Sequence, residues 1–359
     1  MVRVLIADST AAERGWLGEL IRSDPDLTVV GEAGRAGEAI ELARRLRPDI
    51  ILIGARLPGG GGFEATKEIM IEAPTPIVIV TDPPEAGHVT EALQALRVGA
   101  LTVLPRPSRA LGTDATPEFR RFVSSVKAMA QVRVVRRWRD SATVPQRREA
   151  EPFRVSAIGK ARIASGTEIR AVAIGASTGG PAALQRILGD LPPNFGPPIL
   201  IVQHISKGFI AGLIQWLSSI SPLPVKVAGQ GEPLTRSTIY IAPDDRHLGV
   251  TGESRIQLSD AAPIGGFRPS ATFLFESVAR AFGGASLHVI LTGMGRDGVA
   301  GLEVAHSAGA LVIAQDEASS VIFGMPGAAV AAGIVDRVVP LDNIAQDILA
   351  VAAPNLPAV

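Results

Sequence analysis

Short apolar runs alternate with amphipathic stretches through the first third of the chain. The runs "VRVLIA" (2–7), "LTVVGEA" (27–33), "DIILIG" (49–54), "PIVIVT" (76–81) and "ALTVLP" (100–105) read as strands. The stretches between them carry helical spacing. In the last, "TPEFRRFVSSVKAMAQV", residues Phe119, Phe122, Val123, Val126 and Met129 share one face. Near-continuous apolar strands alternating with helices predict a parallel sheet covered on both faces. The pattern stops near Gln131. From 132 to 168 the apolar residues thin out and the arginines lose any period, which predicts a solvated linker.

A second α/β pattern starts at Ile169. "IRAVAIGAS" is a strand entering a tight turn, and "PAALQRILGDL" is a helix opened by Pro181. "PPILIVQH" and "KGFIAGLIQWLSSI" repeat the strand–helix alternation. "LHVILTGMGRDG" is an apolar strand running into a glycine-rich loop, and "ALVIAQD" and "GIVDRVV" read as further strands. The expected organisation is therefore two doubly wound α/β domains, 1–131 and 169–359, joined by the linker 132–168.

Bulk composition narrows the classes. At roughly 100–200 residues per domain, a chain of 359 residues accommodates two, and 47% hydrophobic content suffices for two cores. Lys+Arg and Asp+Glu both number 35, so the basic excess of a nucleic-acid binder is missing. Without cysteine there is no disulfide framework, thiolate metal site or cysteine nucleophile. No apolar run has the length of a membrane span, and Asp8 arrives too early for a signal-peptide core. These features fit a cytoplasmic protein.

The candidate chemistry sits at strand ends. "GASTGG" (175–180) fits G-x-S-x-G, in which a strand-to-helix turn exposes a serine hydroxyl. Taken alone the motif is open to three readings: nucleophile, phosphate cradle, or plain turn. As a dinucleotide fingerprint it puts Ser177 where a glycine should be, and the acid expected about 20 residues on is missing; Gln203 and His204 stand at the end of the next strand instead. Neighbouring strand ends form the ligand crevice of an open parallel sheet, so His204 can serve as base to Ser177. Asp297, in the loop after a third apolar strand, can orient the imidazole. His88, His247, His288 and His306 read as structural. The order Ser, His, Asp differs from that of the α/β-hydrolases.

The motifs "AIGASTGGP", "VQHIS", "IYIAPDDRHL", "FRPSATFLFESVA", "LTGMGRDG" and "AQDEASSVIFGMP" together resemble the chemotaxis-type protein-glutamate methylesterases. That family joins a response-regulator receiver, flavodoxin-like in fold, to a Rossmann-like esterase domain. The resemblance implies Ser177 as nucleophile, His204 as general base and acid, Asp297 as orienting carboxylate and Met294 as a backbone donor to the oxyanion. It implies a methylated chemoreceptor-type protein as substrate, hydrolysis of γ-glutamyl methyl esters, deamidation of receptor glutamine by the same route in some members, and no cofactor. The Thr178 N–H, just past the nucleophile at a helix start, is a further candidate donor. Two other classes compete: a regulatory binding protein on an inert esterase fold, and a dinucleotide-dependent enzyme.

The first domain resembles a receiver but departs from it where phosphoryl chemistry resides. The resemblance implies an acid where Ala7 stands, beside the retained Asp8; a phosphoacceptor aspartate where Gly54 stands; and a lysine where Arg106 stands. Thr81 alone fits its place. One carboxylate is a poor Mg²⁺ site, since that ion takes several oxygen ligands. Arg56 and Arg106 are the cations expected to pair with Asp8. A receiver that does not take a phosphoryl group remains a surface for contact with a histidine kinase or an adaptor.

Overall fold

The apolar runs of the first third form β1 (Val2–Ala7), β2 (Leu27–Ala33), β3 (Ile50–Gly54), β4 (Ile77–Thr81) and β5 (Thr102–Pro105). They build one sheet in the order β2-β1-β3-β4-β5, parallel throughout. β3 and β4 are buried at every position, as expected of strands covered on both faces. Helices α1 (Ala11–Arg22), α2 (Ala36–Leu46), α3 (Gly61–Glu72), α4 (Ala86–Arg97) and α5 (Pro117–Ala130) connect and cover them. α1 starts where Thr10 accepts from the Glu13 N–H at 3.1 Å, satisfying a donor that the first helical turn would otherwise leave unpaired. On α5, Phe122, Val123, Val126 and Met129 are buried and Phe119 is half-buried.

The coordinates are a computed structural model that describes residues 1–82, 86–108, 117–132, 134 and 168–352, and two units divide the chain, Met1–Ala150 and Glu151–Val359. The expected linker lies almost wholly outside the described residues.

The second unit holds a seven-stranded sheet in the order β14-β13-β12-β6-β7-β9-β8, again parallel at every pairing. Its strands are β6 (Ala171–Ala176), β7 (Ile199–Gln203), β8 (Val225–Val227), β9 (Ile239–Ile241), β12 (Ser286–Ile290), β13 (Leu311–Gln315) and β14 (Arg337–Val339). The chain starts at the centre with β6, builds outward through β7, and returns with β12 on the other side. That reversal opens a crevice at the carboxyl ends of the central strands. The helices are α6 (Gly180–Gly189), α7 (Ile210–Ser218), α8 (Ala271–Phe282), α9 (Val299–Ser307), α10 (Met325–Ala331) and α11 (Leu341–Ala352). Two expectations change. "GIVDRVV" contributes only the three residues of β14, and an antiparallel hairpin of β10 (His247–Val250) and β11 (Ile256–Ser259) stands apart from the main sheet. Among the described residues no helix is long and apolar enough to cross a membrane.

His288 lies in the middle of β12, fully buried, with the Phe275 ring of α8 against its edge at 5.4 Å. The Ser286 hydroxyl donates to the Gly283 carbonyl at 2.7 Å and so accepts from His288 Nε2 at 3.0 Å. Burial alone pushes the His288 pKa down from 6.5 to about 3. The unfolded chain therefore takes up a proton near pH 6.5 that the native state refuses until about pH 3, and stability falls as pH drops through that window. Between pH 6.5 and pH 5 the loss from this group is about 2 kcal/mol. His288→Gln is expected to remove this part of the acid sensitivity. Urea midpoints of variant and wild type across that range, with the gap narrowing as pH falls, are the check.

Candidate functional site

Three adjacent strand ends build the crevice of the second unit. Ser177 follows β6, His204 follows β7, and the "LTGMGRDG" loop follows β12. The register pairs Ala176 with Gln203, and the His204 N–H donates to the Ala176 carbonyl at 2.9 Å. The Gln203 carboxamide is buried and donates to the carbonyls of both Ser177 and His204, each at 2.8 Å. It ties the two strand ends together.

The loop after β12 comes close enough to touch the serine because residue 293 is glycine. A Cβ there would lie 2.6 Å from the Ser177 Cβ and 2.5 Å from the Met325 sulfur. Gln315, buried at the end of β13, accepts from the Thr292 N–H at 2.9 Å, and the Thr292 hydroxyl donates to the Thr178 carbonyl at the same distance. The turn after the serine and the loop after β12 are thus locked to each other. The N–H groups of Thr178 and Met294 make no hydrogen bond among the described residues.

Asp297 is 9% exposed and sits on the N-terminus of α8. Its carboxylate accepts from the Ser270 hydroxyl at 2.7 Å, the Ala271 N–H at 2.7 Å and the Thr272 N–H at 3.2 Å. These are donors a helix start leaves unsatisfied, and the helix dipole favours a negative charge there. Burial alone would raise the Asp297 pKa; the contacts with His204, Ser270 and Ala271 outweigh it and hold it at about 2. His204 Nε2 stands 2.9 Å from Asp297 Oδ2, off the straight line of an ideal hydrogen bond. With Nε2 turned to the acid, Nδ1 is the remaining ring nitrogen; it is buried and has no hydrogen-bond partner among the described residues. The Ser177 hydroxyl is half-buried and carries no hydrogen bond among the described residues.

The sequence reading did not assign Ser270, Gln203 or Phe267 to this crevice. Phe267 stacks on the His204 ring with centroids 4.2 Å apart. Ser270 carries a legible signal, a serine just before an amphipathic helix. Gln203 is legible as a strand end, but neither its bond to the Ser177 carbonyl nor the Phe267 stack is, because those partners lie on other elements. His247 backs the assembly: its Nδ1 accepts from the Ser270 N–H at 3.2 Å, and its ring stacks on Phe273.

A family model described as CheB methylesterase matches residues 172–348, and one described as response regulator receiver domain matches residues 4–111. The protein-glutamate methylesterase/protein-glutamine glutaminase 4 of Myxococcus xanthus (strain DK1622) is 50% identical over 345 residues, 96% of this chain and 95% of its own. The chain belongs to the CheB methylesterase family. A second relative, the protein-glutamate methylesterase/protein-glutamine glutaminase 3 of Anaeromyxobacter dehalogenans (strain 2CP-C), is 46% identical over 347 residues, 96% of this chain and 98% of its own. The crystal structure of the Thermotoga maritima CheB methylesterase catalytic domain aligns with 51% of this chain and 98% of its own at 38% identity, with a TM-score of 0.50.

In this member of the CheB methylesterase family, the receiver pocket is filled from within. Asp8 follows β1, Gly54 ends β3, Thr81 ends β4 and Arg106 follows β5. The Asp8 carboxylate lies over Gly54; a Cβ on residue 54 would meet it at 2.5 Å. Arg106 is the cation beside it. Nη2 stands 2.8 Å from Asp8, Nε 2.8 Å from Asp82 and Nη1 3.0 Å from Glu13. Burial works against the guanidinium charge, but Asp8 and then Asp82 more than offset it and raise its pKa above the ordinary value. Arg56, the other expected partner, is exposed and not in the cluster, and Glu13 and Asp82 were not foreseen. The Thr81 hydroxyl is buried and donates to the Asp82 carbonyl at 3.1 Å. The residues do not fit Mg²⁺: Gly54 brings no oxygen side chain, and the carboxylates of Asp8, Glu13 and Asp82 are already engaged by the Arg106 guanidinium.

Removing the Ser270 hydroxyl takes a donor from a buried carboxylate and the cap from α8. Ser270→Ala is expected to cost about 2 kcal/mol at neutral pH. Because the Asp297 pKa is lowered from 3.8 to about 2, the stability it contributes is present above pH 3.8 and lost as pH falls toward 2. The difference between wild type and Ser270→Ala should therefore shrink on acidification, as read from urea denaturation at pH 7 and pH 3.

Proposed function

We propose that the chain is a serine hydrolase that removes methyl groups from glutamate side chains of chemoreceptor-type proteins. Its parts are a receiver at 1–131, a linker at 132–168 and a catalytic domain at 169–359. The observation that carries the reading is the His204–Asp297 pair on the strand end beside Ser177, with an Nδ1 that has no hydrogen-bond partner among the described residues. The names of the relatives supply the substrate class.

In the first step Ser177 Oγ attacks the ester carbonyl and its proton passes to His204 Nδ1. The Thr178 and Met294 N–H groups receive the oxyanion. The tetrahedral species collapses, the C–O bond to the methoxy group breaks, and Nδ1 returns its proton so that methanol leaves. Water then attacks the acyl-enzyme, giving a proton to the same nitrogen, and that proton returns to Ser177 as the glutamate is released. Asp297 stays ionised throughout, as its low pKa requires, and stabilises the imidazolium twice. A glutamine side chain follows the same route with ammonia as leaving group.

The receiver in this reading works without phosphorylation. Gly54 has no acceptor group, and the Arg106–Asp8 pair fills the space above it. Its remaining role is a fixed surface for the kinase or adaptor of the pathway.

Ser177→Ala is expected to fold normally and to lower methanol release from methylated receptor by about 10⁴-fold or more. Release at the wild-type rate would refute the nucleophile and leave the inert binding protein as the reading. For the receiver, incubation with acetyl phosphate and Mg²⁺ followed by intact mass measurement should add no phosphoryl group; an adduct mapping to residues 1–131 would refute the filled pocket.

A further inference from the structure

The Phe267 ring lies face to face with the His204 imidazole, centroids 4.2 Å apart and planes within 6° of parallel. It is half-buried, on a tight turn closed by reciprocal backbone bonds between Ile264 and Phe267 of 2.9 and 3.1 Å. The next residue, Arg268, is fastened to Asp245 at 2.8 Å and to the carbonyls of Asp260 and Ala261 at 3.1 and 3.2 Å. Two residues further, Ser270 holds Asp297. Phe267 and Ser270, three positions apart, therefore hold the two members of the acid–base pair, one by its aromatic face and one by its carboxylate.

We infer that Phe267 is a positioning residue for the hydrolysis, an inference that rests on the serine hydrolase reading. It holds the His204 ring in the orientation that keeps Nε2 on Asp297 and leaves Nδ1 for Ser177. A terminal ring torsion is broad and roughly two-fold, and the single off-line contact to Asp297 does not fix it alone. A parallel ring on one face holds the plane of the imidazole, and the contact to Asp297 then selects between the two flips of that plane. Its π face also attracts a cation more than a neutral ring, so the contact strengthens when His204 takes the serine or water proton. An interaction stronger in the transition state than before it raises kcat rather than lowering KM. Of the charges on the surrounding loops, Lys207 and Arg268 face Asp245, and Asp244 accepts from the Gly208 N–H. Asp297 is the charged group paired with the imidazole.

The competing view, that Phe267 only fills space, makes a different prediction: any apolar side chain of similar bulk would serve. Full-length Phe267→Leu, Phe267→Met and Phe267→Tyr separate the two. The readouts are kcat and KM for methanol release from a methylated receptor fragment, and the rate of Ser177 labelling by a fluorophosphonate, with urea midpoints alongside. Leu and Met are expected to lower kcat and the labelling rate by about tenfold, the scale of a desolvated cation–π contact, with KM and urea midpoint unchanged. Tyr is expected to stay within about twofold of wild type. Wild-type kcat in Leu and Met, equal loss in all three variants, or a change confined to KM or to the urea midpoint would overturn the inference. Ser177→Ala run in parallel keeps the failures apart. Methanol release by that variant would remove the hydrolase reading itself, whereas an inactive Ser177→Ala beside a fully active Phe267→Leu would remove only the role of Phe267.

Discussion

A carboxylate seated on a helix start organises the catalytic unit. Asp297 comes from the loop after β12, and the donors it accepts from belong to Ser270, Ala271 and Thr272 at the start of α8. Those donors need an acceptor once the helix is buried, and the carboxylate needs donors to stay charged out of water. Each solves the other's problem. The seat fixes where the acid can be, and the position of His204 follows from it: Nε2 turns to the acid and Nδ1 is left to the crevice.

Around that pair, two buried glutamines do for the backbone what Ser270 does for the acid. Gln203 joins the end of β6 to the end of β7, and Gln315 joins the β12 loop to the loop after β13. A parallel sheet leaves its strand-end carbonyls and N–H groups unpaired where the ladder stops. Short side-chain amides with both a donor and an acceptor satisfy them without adding charge. The result is a crevice whose backbone is fixed while the Thr178 and Met294 N–H groups make no hydrogen bond among the described residues.

The receiver unit shows the same economy applied to a different end. Its strand order places Asp8, Gly54, Thr81 and Arg106 at one edge, but the geometry there is closed rather than open. Asp8 takes the volume that a side chain on residue 54 would need, and one guanidinium answers Asp8, Glu13 and Asp82 together. An arginine suits this better than a lysine, because its planar fork faces several carboxylates at once. Buried charge is retained only where it is paired, so the cluster keeps the pocket in one arrangement.

Much of this was written in the chain. The apolar runs determined the strands of both sheets, because strands buried on both faces must be apolar throughout; β3, β6 and β7 differ from their runs only at the ends. The turn residues and strand ends brought Ser177, His204 and Asp297 forward, and Ala7, Gly54 and Arg106 marked the altered pocket. The hairpin β10–β11 and the brevity of β14 were not legible, since a few residues carry too little periodicity to declare themselves. Nor were Phe267 on His204, Gln203 across two strand ends, or Glu13 and Asp82 around Arg106. Each of these is a contact between groups far apart in sequence or on different elements, and spacing along a chain does not encode it. The sequence by itself determined which elements form and which residues end them. Only the tertiary structure decided which ring nitrogen faces Asp297 and which charge fills the pocket, because both depend on side chains that meet only after the sheets have closed.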